Sequence, residues 1–591
     1  MYAEIRKFRV RYHGQDRNKI IMEKIWQYKN SKLPEGKVKS VAKRFSIPEM
    51  AAAILLNRGV DENEIESFLK KSMRDILNPM LLSDMDKAAE RIVRAIDNKE
   101  KITVYGDYDV DGITSTAMVY DFLESQGAEI SYYIPDHKDE GYGINIMAVN
   151  KLQKSGTKLL ITVDCGITAI GEVEFAKLQG MDVIITDHHT CKEKLPDAAE
   201  AIINPKKPDC DYPFDALAGV GVAFKLILAV TMVLKQNTTE CFKKYVDLAA
   251  IGTIADVVSL TGENRIIVDK GLKTLQNPQR PGIAALKEVA GITDKPVTSS
   301  NIAFALAPRL NAAGRLGTAT TAVELLLTKD IAEARRIAGE LDAENKERQA
   351  TEQDIYNEAL EIIAKDPNFD KKKVIVLSHE GWHHGVIGIV ASRIGDLFYK
   401  PCILISYSNG IGKGSGRSIP EFNLFDALST CENYLTDFGG HAVAAGLNIN
   451  MSDIDGFDKA INKYADGILT ERNMIPKLNI DCEIPPAEAT IRNAHMLSQL
   501  EPFGMGNEKP LFAMTDMTVR DALAVGSDKR HLKLRLEKDG VSLNAIGFGM
   551  GHIIDDLRPY DRIDAAFGLD INTYLGNESV QLMLKDLKKR V

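Results

Sequence analysis

Three short stretches place acidic and imidazole side chains where an apolar run gives way to a loop. Gly106-Asp107-Tyr108-Asp109-Val110-Asp111-Gly112 follows the run at 102–105, Asp164-Cys165-Gly166 follows 159–163, and Asp187-His188-His189 follows 183–186. Hard carboxylates with one or two imidazoles and no thiolates suit Mn²⁺ or Mg²⁺ better than Zn²⁺. Gathered at one place, these groups would repel one another unless cations neutralised them. Together they are numerous enough for two metal ions sharing a bridging carboxylate. Two ions roughly 3.5–4 Å apart support in-line displacement at phosphorus, one activating the water and the other stabilising the leaving oxygen. The chemistry is that of a dinuclear phosphoesterase. Taken singly, each piece has a plainer reading: an Asp-x-Asp-x-Asp run can be a calcium loop, and a His-His pair can be core or surface.

The elements between these stretches must bring them together. ITVY (102–105), SYYI (131–134), LLITV (159–163) and VIIT (183–186) read as short buried strands, and 113–125, 146–154 and 169–179 as helices. That alternation predicts a parallel sheet with helices on both faces. Such open sheets bind ligands at the carboxyl ends of their strands, at a topological switch point. Upstream, 46–100 reads as helical, with Ile54, Leu55 and Leu56 and then Ile65, Phe68 and Leu69 at helical spacing. Downstream, the chain to about 300 is mostly helical. Residues 331–364 form a charged run with no proline and one glycine, Gly339. As a helix it would span roughly 50 Å and act as a strut between two lobes. A second α/β unit begins after 370, with strands at 374–378 and 402–406, helices at 385–397 and 423–436, and a glycine-rich stretch at 410–418. From about 475, short strands with Gly, Asn and Asp turns predict a small β-barrel or sandwich.

Composition bounds the rest. The chain of 591 residues suggests three to four domains, and 45% hydrophobic with 27% charged residues excludes disordered, collagen-like and disulfide-scaffold classes. The net charge of −9 argues weakly against a nucleic-acid partner, yet residues 1–45 carry 13 Lys+Arg against 4 Asp+Glu. That arm is either a phosphate contact or a solvated leader. Seven scattered cysteines form no CxxC pair, which points to a reducing compartment. The first 30 residues carry charges throughout, so no signal peptide is expected. The apolar stretch 216–234 contains Lys225 and two glycines, Gly219 and Gly221, and reads as a glycine-rich turn entering a buried helix rather than a membrane span.

GDYDVDG (106–112), VDCG (163–166) and TDHH (186–189) resemble the first three motifs of the DHH phosphoesterase superfamily, and IGTIADVVSL (251–260) resembles the fourth, with Asp256. The resemblance implies that Asp109, Asp111, Asp164, His188 and Asp256 hold two divalent ions, Mn²⁺ or Mg²⁺, with Asp164 as the bridge. It makes Asp107 and Asp187 ligands or orienting groups, and His189 a contact to the scissile phosphate. GVGVAFKL (219–226), APRLNAAGRL (307–316), GWHHGVIGIVASRI (381–394), GSGRSI (414–419), FGGHAVAAGL (438–447) and LEPFGMGNEKPLF (500–512) narrow the likeness to the RecJ family of single-strand exonucleases, from about residue 40 onward.

This resemblance implies an α/β fold: a parallel-sheet DHH domain over 76–318, a long connecting helix over 319–366, a second α/β DHH-associated domain over 367–466 and an OB-fold β-barrel over 467–591, preceded by a basic, helical segment over 1–75. It implies substrate contacts from Ser415 and Arg417 with Arg309 or Arg315 at a 5′ phosphate, and from Asn311, His384, Gly439, Gly440 and His441 along the strand. In the barrel, Lys529, Arg530, Lys533 and Arg535 form a basic stretch, and Phe548 and Tyr574 are candidate base stackers, although core packing is the better reading for Phe548. Trp382 either stacks on bases or packs in the core.

The activity implied is 5′→3′ hydrolysis of single-stranded DNA to 5′-mononucleotides, in a cleft too narrow for a duplex, in repair and recombination. A monomeric, cytoplasmic enzyme without membrane segments is expected, with single-strand-binding protein and a RecQ-type helicase as family-level partners. The alternatives are a DHH hydrolase of short oligoribonucleotides and a catalytically silent DNA-binding scaffold.

Overall fold

Strands Ile102–Tyr105, Leu159–Val163 and Ala201–Ile203 are buried along their whole length, and Asp182–Thr186 everywhere but at Asp182. Continuous apolar runs of this kind belong to strands covered on both faces. The computed structural model describes residues 24–29, 33–135, 143–316, 318–574 and 576–590. In it these strands and Ile130–Tyr133 form one all-parallel five-stranded sheet. Numbered along the chain, their spatial order is 2-1-3-4-5. The order reverses between the first and third strands, so the switch point lies where the chain leaves Tyr105 and Val163. Val104, Ile161 and Ile184 pack on one face, against helices Met85–Asp97, Val110–Ser125 and Gly219–Val233. Tyr105, Leu160, Val183 and Ile185 pack on the other, against Ile146–Lys154 and Ile170–Leu178.

Helix Gly219–Val233 is the apolar stretch singled out above, and it is buried in this core. Lys225 lies inside it, donating to the Leu77 carbonyl at 2.8 Å and paired with Glu263. Among the described residues, no helix is long and apolar enough to cross a membrane.

The described residues form two compact units, one from 29–345 with 481–590 and the other of 346–480 with 24–28. In the first, strands Phe512–Val525, His531–Lys538, Val541–Gly547, Asn577–Lys589 and Arg562–Tyr574 close into a five-stranded barrel. Helices Glu35–Phe45, Glu49–Asn57 and Ile65–Lys70 share its core, with Val41, Met50, Ile54 and Ile65 packed in one cluster with Phe512, Leu534 and Phe567.

The second unit holds a mixed five-stranded sheet in the order Leu435–Gly440, Ala444–Asn450, Ile411–Arg417, Cys402–Ser408, Ile375–Glu380. The glycine-rich stretch is its central strand. Gly412, Gly414 and Gly416 alternate onto the face covered by Ile405, Leu447 and Leu424, where an added Cβ would come within 2.7–2.8 Å of a side chain. Helix 423–436 is shorter than the sequence suggests. It is Leu424–Thr430, and after a single 3₁₀ turn the chain enters strand Leu435–Gly440. A separate parallel pair joins Ile25–Tyr28 to Lys477–Ile480. Helix Ile331–Lys365 runs 35 residues and continues the chain from the first unit into the second. Of the basic arm, residues 1–23 and 30–32 lie outside the described residues.

Candidate metal centre

The loop after Tyr105 turns directly into a helix. Asp109 is its N-cap, with Oδ1 accepting from the Gly112 amide at 3.0 Å, so the second half of GDYDVDG is already the first turn of Val110–Ser125. Asp111 sits in that turn, fully buried, and its two carboxylate oxygens accept the Gly219 and Val220 amides at 2.7 Å each. Two helix N-termini, with their partial positive charge, therefore face one carboxylate. Asp107 is buried and accepts from the Tyr108 amide at 2.7 Å. Asp164 follows Val163 in the left-handed region at φ 61°. Asp256 caps the carboxyl end of helix Thr238–Ala255.

His188 draws these groups together. Its Nε2 lies 3.3 Å from Asp164 Oδ1, 3.5 Å from Asp256 Oδ2 and 4.0 Å from Asp111 Oδ2. Asp164 Oδ1, Asp256 Oδ2 and His188 Nε2 are all buried, and none makes a hydrogen bond. Buried polar atoms are otherwise almost always paired. Carboxylate oxygens of Asp107, Asp109 and Asp164 form a second group whose members all lie within 4.8 Å of one another, as do the ligand atoms of Asp164, His188 and His189. Asp164 belongs to both, and His188 also belongs to the group with Asp111 and Asp256.

Burial and then the neighbouring Asp109 raise Asp107 to about 8 and Asp256 to about 7. Asp111 and Asp164 are raised well above the usual carboxylate range, by burial and then by the acids around them. Burial, followed by the neighbouring His189, lowers His188 to about 4, which keeps it a neutral ligand. Hard anionic oxygens and a neutral imidazole in a buried, unpaired cluster fit a pair of divalent cations.

Glycines make room for this crowding. A Cβ on Gly219 would lie 2.4 Å from Asp164 Oδ1, one on Gly252 3.0 Å from Asp111 Oδ1, and one on Gly112 2.5 Å from the Asp107 carbonyl. Asp187 does a different job from its neighbours. Its Oδ1 accepts the His188 and His189 amides at 2.7 and 3.0 Å and lies 2.7 Å from His189 Nδ1, while Oδ2 accepts the Ile167 amide at 2.9 Å. Burial works to raise Asp187, but the bonds from His189 outweigh it and leave the group below its ordinary value. The same pairing outweighs burial at His189 and raises the imidazole. Asp187 thus orients a half-exposed His189 that favours its protonated form.

Helix Ala307–Leu316 braces the loop from outside. Asn311 Oδ1 accepts the Val110 amide at 3.1 Å, and a Cβ on Gly314 would stand 2.5 Å from the Tyr108 carbonyl. Asn311 therefore touches the metal loop itself. Arg309, expected at a phosphate, is bound to Asp342 at 2.8 Å and to the Ala305 carbonyl at 2.7 Å, where it fastens the start of the long helix. The Arg315 side chain lies outside the described residues.

In the second unit, Ser415 and Arg417 project from the central strand toward helix His384–Phe398. Arg417 donates to Ser415 Oγ at 3.1 Å, and a Cβ on Gly388 would meet Ser415 Oγ at 2.8 Å and Arg417 Nη2 at 3.1 Å. Gly446 pairs with Ser415 on one side and Gly439 on the other, and a Cβ on Gly439 would meet nothing within 4 Å. A side-chain-free strip thus extends from Ser415 across the sheet. Gly439, Gly440, His441 and His384 are exposed. Trp382 is buried and donates to Glu358 at 2.7 Å, so it packs rather than presenting a face to bases.

On the barrel, Phe548 is 63% exposed, against the core-packing alternative. It stands edge-on to His531 at 5.1 Å, and Gly551 packs on the backbone of Lys529 and Arg530. Lys533 and Arg535 point outward from the neighbouring strand. Tyr560, which sequence patterning passed over, is 71% exposed beside Arg520. The Tyr574 side chain lies outside the described residues.

A carboxylate–histidine cluster at the switch point of this sheet defines a phosphoesterase of the DHH type. Family models agree: the DHH family N-terminal domain matches 101–253, the DHHA1 domain 371–467 and the RecJ OB domain 480–586. The single-stranded-DNA-specific exonuclease RecJ of Bacillus subtilis is 40% identical over 555 residues, covering 93% of this chain and 69% of its own. RecJ of Escherichia coli K12 is 36% identical, covering 92% of this chain and 96% of its own. A crystal structure of RecJ from Thermus thermophilus in complex with Mn²⁺ superposes with a TM-score of 0.82 at 31% identity, over 96% of this chain and 80% of that one. A Mg²⁺ complex of the same protein superposes at 0.77. The chain belongs to the RecJ family.

Proposed function

We infer that this chain is a metal-dependent exonuclease that degrades single-stranded DNA from its 5′ end and releases 5′-mononucleotides. The observation that carries the reading is the convergence of unpaired, buried Asp164 Oδ1 and Asp256 Oδ2 on His188 Nε2, at 3.3 and 3.5 Å, in a RecJ-family scaffold. Asp109, Asp111, Asp164, His188 and Asp256 would hold the ions, with Asp164 placed to serve both. When bound, the two divalent ions supply a water of lowered pKa and neutralise charge gathering on the phosphate. The water gives up a proton as its oxygen bonds to phosphorus, the bond from phosphorus to the 3′ oxygen breaks, and that oxygen takes up a proton in turn. Asp187 holds the surrounding backbone in place, and Asp107, grouped with Asp109 and Asp164, would be a further ligand or orient them. His189, fixed through Nδ1 by Asp187, donates from Nε2 to an oxygen of the scissile phosphate.

Ser415, Arg417 and the amides that open helix His384–Phe398 suit a terminal phosphate, because a guanidinium and a helix N-terminus both favour a dianion. The bare strip at Gly439 and Gly446, followed in the chain by His441, leaves room for a sugar–phosphate backbone, and the exposed His384 opens the helix that Ser415 and Arg417 face. Phe548 with Lys529 and Arg530 gives the barrel an aromatic platform in a basic setting, which binds single strands without regard to sequence. The setting this implies is repair and recombination in the cytoplasm, by a monomer working with single-strand-binding protein and a RecQ-type helicase.

A long 5′-phosphorylated single strand incubated with Mn²⁺ should disappear with mononucleotides as product, while the same strand blocked at its 5′ end and open at its 3′ end should persist. Loss of the 5′-blocked strand would overturn the polarity. Cleavage confined to dinucleotides would replace the reading with that of a short-oligonucleotide hydrolase.

A further inference from the structure

Helix Thr238–Ala255 ends in a way its sequence does not favour. Asp256 is the C-cap, and the next residue, Val257, takes the left-handed conformation at φ 59°. That position after a helix usually belongs to glycine, because a Cβ there crowds the backbone. A β-branched side chain is the least suited to it. Among the described residues, Val257 is the one β-branched residue with positive φ. Its side chain gains little from the core in return, because Val257 is 60% exposed, whereas the following Val258 packs against the hydrophobic cluster of the sheet. The isopropyl group is therefore held, at a conformational cost, in the open and one residue beyond Asp256, whose carboxylate lies 3.5 Å from His188. Strain of this kind at a site is a pointer to function.

We propose that Val257 is a specificity-determining residue whose isopropyl group packs against the deoxyribose of the nucleotide at the metal centre and disfavours ribose. The proposal rests on the nuclease reading above and names what that site selects. An apolar wall accepts the C2′ methylene of DNA. A 2′-hydroxyl pressed against the same wall loses its water and finds no acceptor in return. Apolar surfaces reject an added hydroxyl only moderately, by at most about a hundredfold. The expected share from Val257 is roughly tenfold.

The test uses the full-length, Mn²⁺-loaded protein and its Val257→Gly and Val257→Ala variants. Rates are measured on 5′-phosphorylated single-stranded DNA and RNA of the same sequence, and thermal unfolding is followed in parallel. Glycine relieves the backbone, so Val257→Gly should unfold about 1–3 °C higher. Both variants should lower the DNA-to-RNA rate ratio roughly tenfold, and Val257→Ala should do so without the gain in melting temperature. An unchanged ratio in both variants, with the wild type active on DNA, would overturn the proposal. So would a lower melting temperature for Val257→Gly, since the residue would then be held for packing. A wild type inactive on both polymers would instead sink the nuclease reading and this assignment with it.

Discussion

Asp107, Asp111, Asp164 and Asp256 stand so close that their charge, once ionised, dominates the behaviour of the site. Asp107 and Asp256 are lifted from an ordinary 3.8 to about 8 and about 7. Between pH 4 and those values, the folded protein without cations holds protons that the unfolded chain has released. Its stability therefore falls as pH rises through that window. Divalent cations take the place of the protons, so each displaced proton strengthens binding about tenfold per pH unit below the raised pKa. Thermal unfolding with and without Mn²⁺ should show a larger gain in melting temperature at pH 8 than at pH 5.5. An equal or smaller gain at pH 8 would contradict the raised values. Asp109, Asp111, Asp164 and His188 drew attention as acids and an imidazole at the ends of apolar strands, whereas Asp256, at the end of a helix, was reached only through the family resemblance. Asp187 was legible as a member of the cluster but not in its role. Its three backbone amide bonds depend on how 166–168 and 187–189 fold back on each other, which residue types do not reveal.

Single elements carry the positioning. The first-turn carboxylate of Val110–Ser125 is fastened to the first amides of Gly219–Val233, and Asn311 from a third helix accepts the Val110 amide. These helices meet closely only because Gly219, Gly252 and Gly314 have no side chain. Gly219→Ala would push a methyl group onto Asp164 Oδ1, now 2.4 Å from where it would stand. The expected result is Mn²⁺ affinity lower by about 10–100-fold, the range typical of groups that orient metal ligands, with the helical circular dichroism unchanged. Wild-type affinity in a calorimetric titration would contradict the cradle. Four strands of the first sheet and the helices between them were legible from period and length, but the fifth strand, Ala201–Ile203, was not, because three residues carry no pattern. The central strand Ile411–Arg417 was not, because its closely spaced glycines leave no alternation of side chains to read. Only the tight packing of Gly412, Gly414 and Gly416 against Ile405, Leu447 and Leu424 explains a strand there.

At the scale of the molecule, the stretch LEPFGMGNEKPLF turns out to be a structural joint. Arg265 donates to the carbonyls of Phe68, Gln499 and Glu501 at 3.0, 3.2 and 2.8 Å, and stands 3.7 Å over the Phe68 ring. Arg58 donates to Asn507 and to the Glu508 carbonyl. Leu260 donates to the Met505 carbonyl at 2.8 Å, with Gly504 and Gly506 packed on Leu260 and Ser259. Within the first unit, this ties the amino-terminal helices, the barrel and the segment after Asp256 together. Local pattern does not announce such a joint, since its partners are more than two hundred residues apart in sequence. The net charge of −9 is likewise a poor guide, since it averages a buried acidic cluster with an outward-facing basic strand at Lys533 and Arg535. The central claim is that the acidic cluster is a two-metal centre bridged by Asp164. Anomalous diffraction from crystals grown with Mn²⁺ tests it most directly. Two manganese peaks inside the cluster, both in contact with Asp164, are the predicted result. A single peak, or peaks that leave Asp164 untouched, would contradict it.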